Sequence, residues 1–185
     1  MLVLQTTGLS GAGKTTICNL VKQNLTDIGL DCIVIDGDIY RQTLCRDLGF
    51  SHADRIENIR RLGHLAHTYA VNGTIALIAA INPFELVRNE LSERYNAKTV
   101  WIDCSIEMLI KRDTKDLYRR ALLPDTHADK ISNLTGINDV YENPVKIDLY
   151  IQTHLTSFQD AAMQFTSFIL TETGHAVAYQ GIHKA

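Results

Sequence analysis

Gly8-Leu9-Ser10-Gly11-Ala12-Gly13-Lys14-Thr15, the stretch GLSGAGKT, fits the pattern G-x-x-x-x-G-K-[ST] without a gap. The apolar run Leu2–Thr7 leads into it and a helix-like run, Thr15–Ile28, leads out. Glycines let the backbone curl so that successive N–H groups point at phosphate oxygens, and the following helix adds its positive N-terminal end. Gly8, Ser10, Gly11, Ala12, Gly13, Lys14, Thr15 and Thr16 are therefore expected to bind ATP. Lys14 is expected to reach the β- and γ-phosphates, and the Thr15 hydroxyl to ligate Mg²⁺. A glycine turn that only shaped a strand–helix corner leaves Lys14 and Thr15 together unexplained.

Working outward, short apolar runs alternate with amphipathic segments. Leu2–Thr7, Cys32–Asp36, Thr74–Ile81, Thr99–Asp103 and Ile147–Thr153 read as strands, nearly continuous in apolar character as strands buried on both faces are. Helices are expected over Thr15–Ile28, over Ala53–Val71, from Pro83 in a first turn to about Tyr95, and around Phe158–Phe168. Ser51-x-x-Asp54 reads as a capping box with Asp in place of Glu. Strand–helix alternation predicts a parallel sheet with helices on both faces. The expected fold class is α/β: a P-loop NTPase of nucleoside-monophosphate-kinase-like type, a three-layer sandwich with a lid. The polar stretch of about residues 113–144, with Pro124, Gly136 and Pro144, is the expected lid. The chain, residues 1–185, is expected to be a single domain.

Composition narrows the function. With 185 residues, 45% hydrophobic content and a net charge of -3, one buried core is expected and a nucleic-acid scaffold is not. No apolar run reaches membrane-spanning length, and MLVLQTTG lacks the basic start and small-residue cleavage site of a signal peptide. Cys18, Cys32, Cys45 and Cys104 are scattered, which suits reduced thiols in a cytoplasmic protein. The D-x-x-G and N-K-x-D motifs of a GTPase switch are missing, and a motor would need more chain. A small P-loop kinase remains.

The acceptor side is expected after the second strand, where the chain reads IDGDIYRQTLCRDLGFSHADRIENIRR, residues 35–61. Asp36 and Asp38 fall at the strand's carboxyl end, where α/β proteins bind ligands. Either can order a metal's water shell, and one can accept the proton of an attacking hydroxyl; as single residues each also suits a turn or helix cap. Arg55 and Asn58 lie three apart on one helix, placed to clamp an anion. Phe50, after Gly49, either stacks on a base or plugs the core. His64 and His67 read as ordinary helix-face residues, Trp101 as core, and the tail AVAYQGIHKA as an edge strand or a dimer contact.

GLSGAGKTT, DGDIYRQTLCRDLGFSHADRIENIRRLG, INPFELVR, RDTKDLYRRAL and LTGINDVYENP resemble the adenylylsulfate (APS) kinases in order and spacing, from about Thr7 to Asp148. The resemblance implies transfer of the ATP γ-phosphate to the ribose 3′-hydroxyl of adenosine 5′-phosphosulfate, giving PAPS, in a homodimer. It implies Asp38 as the acid at the acceptor hydroxyl, with Lys14 as its catalytic companion on the donor side. Asp36, Arg41, Arg55, Asn58, Ile81, Asn82 and Lys115 fall on substrate-binding positions, and Phe50 on one of two aromatics that sandwich the adenine. At the second aromatic this chain has Leu134; Asn82 replaces a serine and Asp116 a glycine. Cytidine diphosphoramidate kinases of capsule biosynthesis share the pattern, and a smaller base would suit Leu134. A nucleotide-binding module without catalysis is a third reading, motivated by Asp116.

Overall fold

A computed structural model describes residues 1–175; the tail expectation, on residues 176–185, lies outside the described residues. The strands are β1 (Val3–Thr7), β2 (Cys32–Asp36), β3 (Ile75–Ala79), β4 (Lys98–Asp103) and β5 (Leu149–Gln152). They pair in the order β2-β3-β1-β4-β5, every neighbour parallel. Side chains alternate strictly between the two faces, because the period of a strand is two. Leu2, Leu4, Ile75, Leu77 and Ala79 join one core cluster, while Val3, Ala76 and Ile78 join the other.

The first cluster is closed by α1 (Lys14–Asp27), through Ile17, Val21 and Leu25, and by α7 (Phe158–Glu172), through Phe165 and Ile169. The second is closed by α3 (His52–Val71), through Ile59 and Leu62, and by α4 (Glu85–Tyr95), through Val87 and Leu91. The result is the expected three-layer α/β sandwich of a P-loop NTPase. The expected strands and long helices appear with ends displaced by up to two residues, except that α7 runs four residues further, to Glu172. Three shorter helices complete the described set: α2 (Gly37–Tyr40), α5 (Ile106–Arg112) and α6 (Leu117–Ala121).

Three local expectations are corrected. Pro83 does not open a helix: α4 begins at Glu85 with Phe84 as its N-cap. Asn82 turns the chain left-handed at φ 47°, and the Glu142 carboxylate accepts the Glu85 N–H at 2.6 Å, so the start of α4 is set by a distant residue. The stretch of residues 113–144 is not plain loop. It contains α6 and a bridged turn, Thr135 with Asp139, and it buries Tyr118, Ala121, Leu134 and Thr135. At the start of α3 the Ser51 hydroxyl accepts the Asp54 N–H at 3.2 Å and donates to the Asp54 carboxylate at 2.7 Å. His67 stacks on Tyr95, as a helix-face residue, and Trp101 is half-buried against Tyr150 rather than core.

Candidate active site

All five strands run parallel, so their carboxyl ends share one edge, and the glycine loop, α2 and the residue 113–144 stretch converge there. Between them lies a cleft of about 710 Å³, the size of a small-molecule site. Its lining carries four cations, Lys14, Arg55, Arg112 and Lys115, against two carboxylates, Asp36 and Asp38.

The loop's glycines are required by geometry. A Cβ on Gly8 would lie 2.1 Å from the Ile102 carbonyl oxygen. Gly13, at φ 101°, is the N-cap of α1 and provides no side-chain cap. The first amides of α1, those of Lys14, Thr15 and Thr16, therefore open toward the cleft end of the helix without intrahelical acceptors, an arrangement suited to an anion. Two amides of the loop are committed elsewhere: Gly8 N–H donates to the Ile81 carbonyl and Ala12 N–H to the Leu9 carbonyl. Gly8 and Ala12 thus build the loop and lie outside the cleft lining, whereas Ser10, Gly11, Gly13, Lys14, Thr15 and Thr16 line it.

Lys14 arches over the loop, its Nζ donating to the carbonyls of Gly8 at 2.8 Å and Leu9 at 2.7 Å. Burial pushes its pKa down to about 8, with Asp38 working against that shift and Lys115 adding to it. The Thr15 hydroxyl donates to Asp36 Oδ2 at 2.6 Å, while Asp36 Oδ1 accepts the N–H groups of Asp38 and Ile39. Asp36, expected among the acceptor residues, is thus held beside the loop and caps α2 as well. This adjacent hydroxyl and carboxylate form a hard-oxygen pair of the kind Mg²⁺ takes.

Across the cleft, Asp38 and Lys115 meet at 2.6 Å, both substantially exposed. Phe50 is 54% exposed and lines the cleft. Its ring is bracketed by the guanidiniums of Arg41, at 4.4 Å from the centroid, and Arg55, at 5.4 Å. Phe50 therefore does not plug the core. Arg41 donates to the Gly49 carbonyl at 2.8 Å and stands behind the ring, outside the lining. Arg55 donates to the carbonyls of Phe50 and Asn133 and pairs with Asp139 at 3.0 Å. Asn58, one turn further on, is buried with Oδ1 unpartnered.

Ile81 lines the wall, but Asn82 lies behind it, 1% exposed, with Nδ2 donating to Gln5 Oε1. Its carbonyl accepts from Thr7 and from Arg88, which is itself buried and reaches Glu85 and the Glu142 carbonyl. Leu134 lines the cleft yet is only 6% exposed, packed into the first core cluster.

Sequence reasoning missed Arg112, Phe158 and Thr135. Arg112 stands 5.5 Å over the Phe158 ring and donates to the Thr153 carbonyl at 2.7 Å. It begins the motif RDTKDLYRRAL, which was the available signal; Phe158 and Thr135 carried none beyond their places at a helix start and inside LTGI.

The comparisons with known proteins give the family. The profile described as Adenylylsulphate kinase matches residues 1–152. An adenylyl-sulfate kinase of Synechococcus is 45% identical over 139 residues, covering 75% of this chain and 76% of its own. One of Picosynechococcus is 38% identical over 170 residues, covering 91% and 93%. The structure of the Mycobacterium tuberculosis APS kinase in complex with AMPPNP and APS superposes with a TM-score of 0.83 at 34% identity, covering 91% of this chain and 96% of that one. With the profile matching residues 1–152 and relatives 38% and 45% identical over most of its length, the chain belongs to the adenylylsulphate kinase family.

Proposed function

We propose that this protein is an ATP-dependent kinase that transfers the γ-phosphate to the ribose 3′-hydroxyl of adenosine 5′-phosphosulfate. The observation that carries this reading is the single cleft with two chemically different ends. The glycine loop, Lys14 and Thr15 form one end, and Asp38, Phe50 and Arg55 form the other. Phosphoryl transfer asks little covalent chemistry of the protein, so positioning and charge neutralisation supply the catalysis.

In this reading the open amides of α1 and Lys14 take the β- and γ-phosphates. Mg²⁺ neutralises phosphate charge when bound, and Thr15, with Asp36 beside it, holds it. Arg55 and Arg41 draw the phosphosulfate toward α3, and Phe50 stacks on the base with Leu134 opposite. Asp38 accepts the proton of the attacking hydroxyl once Lys115 turns from it toward transferring phosphate. Cytoplasmic location and homodimer assembly are further parts of the proposal; they rest on the resemblance and the four free cysteines.

An ADP-release assay tests the reading, with ATP and Mg²⁺ and either APS or cytidine nucleotides as acceptor. Turnover with APS is expected, lost by orders of magnitude in Lys14→Ala. ADP release with a cytidine nucleotide and none with APS would refute the acceptor; normal turnover by Lys14→Ala would refute the donor loop.

A further inference from the structure

The turn Leu134–Asp139 holds a group that its own architecture does not use. The Leu134 carbonyl accepts from the amides of Ile137, Asn138 and Asp139, and the Gly136 amide donates to the Asp139 carbonyl. The Leu134 amide donates to the Asn138 side chain. These bonds close the turn, yet the Thr135 hydroxyl, on a residue 1% exposed, has no hydrogen-bond partner. A hydroxyl shut away from water without a partner destabilises the chain that carries it. Valine has the same shape and would avoid that loss.

The surroundings say what the hydroxyl waits for. Thr135 lines the cleft beside Leu134 and Asn133, on the side where Phe50 and Arg55 stand. Arg55 ties the turn down at two points, the Asn133 carbonyl and the Asp139 carboxylate. Both are contacts that an anionic ligand competes for, since a guanidinium has a limited fork of donors. At the other end Gly136 abuts Leu9, so the turn packs directly on the glycine loop.

We propose that the Thr135 hydroxyl is a specificity contact to the acceptor nucleotide, made when the acceptor's anionic group draws Arg55 off Asp139 and releases the turn. The ligand it takes is a nucleoside carrying a 5′ anion, with a polar base edge that a hydroxyl can meet as donor or acceptor. This inference rests on the function proposed above and adds the residue that reads the acceptor's nucleoside half.

Steady-state kinetics and thermal denaturation on Thr135→Val and Thr135→Ser test it, with APS and ATP varied separately. For Thr135→Val the expected result is a thermal midpoint of the ligand-free chain equal to or above wild type. Its KM for APS rises about tenfold, the worth of one hydrogen bond, and its KM for ATP stays within about twofold. Thr135→Ser keeps a KM for APS near that of wild type. Wild-type turnover with an unchanged KM in Thr135→Val overturns this proposal alone. So does a lowered midpoint with both KM values raised together, the mark of a structural role. No turnover of APS by the wild-type chain overturns the proposed function and this contact with it.

Discussion

Raising the pH weakens ATP binding through Lys14, and the size of the loss follows from its burial. The lysine is held over the glycine loop by two backbone carbonyls, and burial pushes its pKa down to about 8. A triphosphate brings the negative charge that restores the protonated form, so ATP binding takes up a proton wherever the free chain has lost it. The sign follows: affinity is full below the free-state value and falls as pH rises through about 8. At pH 7 Lys14 is about nine-tenths protonated and at pH 9 about nine-tenths neutral, so affinity drops about tenfold, or about 1.4 kcal/mol, across that range. Proton uptake on binding is about 0.1, 0.5 and 0.9 at pH 7, 8 and 9. Isothermal titration calorimetry of ATP with Mg²⁺, in two buffers of different ionisation enthalpy, reads both quantities. Lys14→Arg keeps its charge at every pH used and flattens the profile. An affinity that is constant from pH 7 to 9, with no proton uptake, refutes the account of a desolvated lysine at the donor end.

Two further substitutions separate chemistry from architecture. Asp38→Asn removes a carboxylate whose partner Lys115 is exposed, so the thermal midpoint moves by no more than about 3 °C while kcat falls by about a hundredfold or more; a kcat within threefold of wild type counts against Asp38 as the base. Arg88→Ala withdraws a buried guanidinium from Glu85 and from the carbonyls of Asn82 and Glu142 and costs about 2–3 kcal/mol in urea denaturation, a loss under 1 kcal/mol being evidence that the network does not fasten the start of α4.

The sequence by itself determined the donor end and the layers. A glycine loop between an apolar strand and a helix has one common physical use, and the period-two and period-3.6 patterns of long segments survive in any context because they report which face is buried. Hence β1, α1, β2 and α3 stand within a residue or two of their expected bounds, and Lys14, Thr15, Asp38, Phe50 and Arg55 meet at one cleft. Short elements lacked that signal: α5 has seven residues and α6 five, too few turns to show a stripe. The tertiary structure alone decided what depends on partners distant in sequence. It spends the Gly8 amide on Ile81, sends Asn82 behind the wall to Gln5, starts α4 at Glu85 through Glu142, and packs Leu134 into the first core cluster at the cleft wall. Each is a hydrogen bond or contact between residues about 50 or more positions apart or on different layers, and no local periodicity encodes which of a residue's polar groups will be claimed by the fold and which left for a ligand.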